Sequence, residues 1–151
     1  MIGWMTLLLG ATGCGGSGSS ENQLVATWIQ TFPEGTYALT FNPDGTYEAE
    51  TLMPVAGPTV EAEVVEGVYS VWGNQITETP QEATCPSPVP VVTISYSFSG
   101  GDLVIVVPGN PVVTTPLVRA TGSVSGNAPL EYGCFTIGTL FMQQSLAPVS
   151  N

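Results

Sequence analysis

The side chains able to do chemistry in this 151-residue chain are few and mostly of one kind. Twelve Asp and Glu face a single cation, Arg119, with no Lys and no His, for a formal net charge of −11. Serine–histidine and cysteine–histidine mechanisms are therefore closed, and so is chemistry on a lysine amine. Carboxylate work remains. Glu48 with Glu50 and Glu61 with Glu63 stand two apart, on one face of any strand that carries them, and a glycosidase builds its acid and base from such a pair. The same spacing makes a solvated strand face whose charge discourages edge pairing, and this plainer reading carries more weight. "NPDGTYE" offers Asn42, Asp44 and Glu48 as oxygen ligands for calcium, yet it lacks the length and the remaining ligands of an EF-hand. A turn with Gly45 at positive φ accounts for Pro-Asp-Gly between two alternating strands. We expect no catalytic site, no metal and no cofactor.

The elements that would position any site are strands. The chain is 43% hydrophobic, rich in Val, Thr, Tyr, Phe and Trp, and punctuated by 18 Gly and 13 Pro, a composition that suits pleated, half-buried surfaces. Turn signals recur at roughly ten-residue intervals. About nine strands are expected. They begin with Leu24–Thr31, after at most one helical turn capped by Ser20 and Gln23. The next pair is "TYALTF" and "TYEAET", in which Tyr37, Leu39 and Phe41 share a face and Glu48 and Glu50 share a wet one. Val60–Val65 and Gly67–Trp72 follow, parted by a bulge or bend at Glu66-Gly67, and then "QITET". Pro80–Pro90 reads as a long loop or an edge. "VTISYSF", the doubly apolar "LVIVV", Val112–Ala120 and Cys134–Phe141 complete the set. With no cluster of Lys and Arg, nucleic acid is excluded as a partner.

The N-terminus reads differently. Ile2–Leu9 is an apolar run of eight residues, far short of the roughly 20 that a membrane span needs and suited to the core of a secretory signal. "GATGC" resembles the lipobox of bacterial lipoproteins, in which small residues precede a lipidated cysteine. Ala11 stands where that family usually has Leu, Val or Ile, and no basic residue precedes the apolar run. The resemblance implies a signal peptide over 1–13, lipid on Cys14, and "GGSGSS" as a flexible tether through Ser20. A domain over 21–151 would then sit outside the cytoplasm in the bacterial envelope, on the outer membrane or cell surface, held by stable multi-chain acylation. The competing reading buries Cys14 in an ordinary first strand.

With Cys14 spent on lipid, Cys85 and Cys134 form an even pair in an oxidising compartment, so a disulfide is expected. A zinc or nucleophilic role is a poor fit without CxxC spacing or a histidine.

The order and spacing of "LVATWIQT", "YALTFNPDGTYEAE", "EGVYSVWGNQITET", "TCP", "YSFSGGDLVIV" and "LVRAT" resemble bacterial lipocalin-like lipoprotein domains, over Leu24–Thr121. The resemblance implies an all-β, antiparallel up-and-down meander barrel of eight to ten strands, with a β-sandwich as the alternative. It also implies that Trp28 and Arg119 close one end, a late arginine packing over the first strand's tryptophan, although Ala26 replaces the usual glycine. A small apolar ligand or lipid would lie against Tyr37, Leu39, Phe41, Trp72, Tyr96, Phe98 and Ile105, residues that equally suit plain core packing. The alternative function is a structural or protein-interaction module of the envelope, docking through Val104, Val106 or the Cys134–Phe141 strand.

Overall fold

The computed structural model describes residues 22–54, 58–86, 88–107, 113–126 and 128–134. The expected signal peptide, Cys14 as the expected lipidation site, the expected tether and residues 135–141 of the last expected strand lie outside them.

After a helical turn over 22–24 come β1 (Ala26–Phe32), β2 (Gly35–Phe41), β3 (Thr46–Pro54), β4 (Val60–Trp72) and β5 (Gln75–Ala83). Then follow β6 (Val92–Ser99), β7 (Asp102–Val107), β8 (Val113–Arg119) and the short β9 (Leu130–Tyr132). Each of β1 to β7 pairs antiparallel with its successor, and β8 returns to β1 through Trp28 opposite Arg119 and Ile29 opposite Val118. The result is a closed eight-stranded meander barrel. Closure removes every edge except where a strand outruns its neighbour.

Period-two patterning decides what lies inside. Leu39 and Phe41 of β2 face Ala49 and Tyr47 of β3, and Ile94 and Tyr96 of β6 face inward with Leu103 and Ile105 of β7. With Leu24, Trp28, Ile76 and Leu117 they form one core. The doubly apolar β7 keeps Val104 and Val106 half-buried on its outer side.

Three departures from expectation have local causes. The strands expected at Val60–Val65 and Gly67–Trp72 are one 13-residue strand, and the irregularity at Glu66-Gly67 is a register shift against β5. Glu66 faces Glu82 while Gly67 faces Pro80, so Gln81 is the extra residue. A Cβ on Gly67 would lie 2.8 Å from the Tyr47 ring and would strike the Thr79 carbonyl, which is why glycine stands there. Second, β5 runs through Pro80 to Ala83 instead of giving way to a loop. A proline without N–H is tolerated at a bulge. Third, the ninth strand is Leu130–Tyr132, only three residues and parallel to Val60–Ala62, too short to announce itself by alternation.

β9 has a purpose legible from β4's outer edge. β5 covers that edge from Val65 onward, and β9 covers Val60–Ala62. Between them Val64 is paired by Thr84, whose Oγ1 accepts from the Val64 N–H at 3.1 Å and whose N–H donates to the Val64 carbonyl at 2.9 Å. Cys85 and Cys134 lie at disulfide distance, Cα atoms 5.3 Å apart, as expected. Their bond ties the chain after β5 to the chain after β9.

Replacing both cysteines with Ser is expected to lower the unfolding free energy by about 4 kcal/mol, the loop-closure value for a separation of 49 residues. It should also speed hydrogen exchange at Val60, whose N–H donates to the Pro129 carbonyl. Unchanged chemical denaturation in the double variant would contradict this role.

Candidate functional site

The barrel has two unlike ends. One is stoppered by β1. The helical turn drives Leu24 fully inside, and the Trp28 indole Nε1–H donates to the Leu24 carbonyl at 2.8 Å. Phe98 packs on the indole at 5.6 Å between centroids. Arg119 lies with its guanidinium carbon 5.9 Å from the Trp28 ring centroid and donates to the Val25 carbonyl at 3.4 Å. The pair expected to close the barrel thus does meet. Beside it the β2–β3 turn is tied down by Tyr69, which donates to the Asn42 carbonyl at 2.9 Å. In that turn Asp44 accepts from the Thr46 N–H and hydroxyl at 3.0 and 2.7 Å, which lowers its proton affinity, and Gly45 has φ of +86°. The carboxylate is used by the turn itself.

Register places the interior residues in rows. Trp28, Leu39, Ala49 and Val65 are cross-strand partners from β1 to β4. The next row toward the other end is Gln30, Tyr37, Thr51 and Glu63. The lining changes from apolar to polar within one pleat. From the far wall Thr115 of β8 and Glu78 of β5 point to the same interior, 4% and 8% exposed.

Glu78 is the most perturbed acid described. It shares the inward face of β5 with Ile76, opposite Tyr69 on β4 and Val92 on β6. Burial pushes its carboxyl up to about 7. Burial raises the Tyr37 and Tyr47 phenols, and the Glu78 charge raises them further. Among the described residues, three buried side-chain atoms lack a hydrogen-bond partner: Glu78 Oε1, Gln30 Oε1 and Tyr96 Oη. Such atoms are costly in a folded protein unless water or a ligand satisfies them.

The residues anticipated as ligand lining divide. Leu39, Phe41, Tyr96 and Ile105 are within the packed core at 0 to 6% exposure, so they fill the barrel more than they line a void. Tyr37 and Phe98 are partly buried and inward. Trp72 corrects the expectation: it pairs with Gln75 beside the inward pair Val71–Ile76, points outward and is 87% exposed. Glu61 and Glu63 are a second correction. They lie on the inward side of β4, since Glu63 faces Thr51, while Ala62 and Val64 face out toward β9 and Thr84. Glu48 and Glu50 do face outward. With Glu66, Glu82 and the exposed Tyr132 they line an acidic groove of about 320 Å³, where burial and then Glu50 and Glu66 raise the Glu48 carboxyl. Alternation alone does not single out Glu78, although a carboxylate in phase with Ile76 on a short strand is the available signal.

No family model, curated protein or solved structure matches this chain. Its site is read from its own chemistry.

Because the folded protein holds the Glu78 proton more tightly than the unfolded chain, the stabilisation is complete below about pH 4.5 and is lost as pH rises through about 7. The loss attributable to Glu78 is about 3 kcal/mol, with Glu48 and Glu50 adding in the same direction. Denaturation of Glu78→Gln across this range should show a visibly flatter profile than the wild type. At the stoppered end, Trp28→Ala should cost about 3–5 kcal/mol, whereas Arg119→Ala, which loses an exposed cation–π contact, should cost about 1 kcal/mol or less. Equal losses would contradict the division of labour.

Proposed function

We propose that the protein is a lipid-anchored bacterial envelope lipoprotein whose lipocalin-like barrel binds a small molecule and performs no catalysis. The observation that carries this reading is a closed barrel, stoppered at the Trp28 end, whose other half keeps Glu78 and Gln30 oxygens buried without a protein partner. A barrel serving only as a rigid body has no need of unpaired polar atoms in its interior, and an apolar filling would be more stable. The Trp28–Arg119 closure supports the lipocalin likeness, and the lipobox-like "GATGC" with its Gly/Ser tether supports the anchor at Cys14. The ligand's apolar body would meet Tyr37 and Val92, and its polar end Gln30 and Glu78.

A second reading, a docking module of the envelope, draws on Tyr132, which stands 67% exposed beside the acidic outer groove.

Native mass spectrometry of the protein purified from its own host separates the two. A co-purifying small molecule is expected, and a clean apo mass accompanied by a bound protein would overturn the first reading in favour of the second. For the anchor, Cys14→Ala should move the protein out of the membrane fraction. Retention there would refute lipidation at that residue.

A further inference from the structure

Resting on the reading of the barrel as a binding protein, we propose that its polar half takes a small organic cation, a primary ammonium on an apolar body, with the Glu78 carboxylate as counter-ion. Two orphaned interior atoms on the polar side are oxygens with lone pairs to offer, Glu78 Oε1 and Gln30 Oε1. What they lack is a donor, and an ammonium brings three N–H donors and no acceptor. Glu78 is 8% exposed, so its ionised form has little water to stabilise it and needs a positive partner.

The chain cannot supply that partner. It has no Lys and no His, and its single cation, Arg119, is engaged over Trp28 and on the Val25 carbonyl. The counter-charge must come from outside. Tyr37 and Tyr47, whose phenols feel the Glu78 charge, supply the aromatic surroundings that favour an organic cation. A divalent metal fits poorly, since among the described residues no three or more Cys, Asp or Glu converge as ligands. A net charge of −11 draws cations toward the protein and repels anions of the same shape.

The test uses the full-length wild-type protein in detergent, above neutral pH, titrated calorimetrically with 2-phenylethylamine, 2-phenylethanol and phenylacetate, and with butylamine and butanol. The amines should bind about tenfold or more tightly than the alcohols of the same shape, and phenylacetate weakest of all. Glu78→Gln, nearly isosteric, should abolish that amine preference, and Gln30→Leu should weaken amine binding with the carboxylate still in place. The amine-to-alcohol comparison on the wild type needs no variant to fold. Alcohols binding as tightly as amines, or an amine preference that survives in Glu78→Gln, would overturn the cation assignment while leaving the barrel as a binding protein. Binding of none of the compounds would also overturn it. The small molecule co-purified from the host would then decide the broader reading separately.

Discussion

Everything in this fold depends on the return of β8 to β1. The ladder there is short, Trp28 with Arg119 and Ile29 with Val118, extended by the Ala120 N–H donating to the Thr27 carbonyl at 2.8 Å, yet it turns a meander with two open edges into a barrel with an inside. The contact is reinforced around a single side chain. Trp28 carries a buried hydrogen bond to the turn before it, ring packing from Phe98, and the guanidinium of the only cation in the chain. A sequence with one arginine to place has placed it at the seam. From there follow the stoppered end, the apolar rows behind it, and the abrupt polar row that begins at Gln30.

The two halves of the interior obey different rules. In the stoppered half large apolar side chains fill the space to zero exposure, and the stability of the barrel is concentrated there. In the other half Tyr37, Thr51, Glu78 and Thr115 take up interior positions that Leu or Val could occupy at lower cost. A chain that tolerates a buried acid with an unpaired oxygen gives up stability at a defined spot, and such spots are where binding is found. The outer wall follows a third rule. Glu48, Glu50, Glu66 and Glu82 line one groove there, and the edge of β4 before Val65 is covered by β9 and Thr84, with the disulfide between Cys85 and Cys134 beside them.

Much of this was legible in the residues. Alternation in "TYALTF", "TYEAET" and "VTISYSF" gives the strands and their faces, turn residues such as Pro-Asp-Gly give the hairpins, and the even pair of cysteines gives the staple. What alternation could not decide is which face is inside when both are mixed. Glu61 and Glu63 alternate with Val60, Ala62 and Val64, so alternation alone suggests a solvated carboxylate face, whereas pairing of Glu63 with Thr51 turns the carboxylates inward. The resemblance puts Trp72 among the lining residues, but it falls one residue beyond the inward Val71 and so emerges at the surface. Pro80 reads as a stop until the bulge at Gln81 is seen to make room for it. Glu78 needed the whole cylinder. Its strand partners are Tyr69 and Val92, and its charge reaches the Tyr37 and Tyr47 phenols, residues separated from it in sequence and brought together by the folded sheet.

The central claim is that closure of this barrel sequesters one carboxyl, Glu78, in a polar half-interior. The most direct measurement is the carbon-13 side-chain carboxyl shift of Glu78 followed against pH in the folded protein. The account predicts a titration midpoint near 7. A midpoint near that of an exposed glutamate, about 4.3, would show that Glu78 stands in water and would contradict the claim.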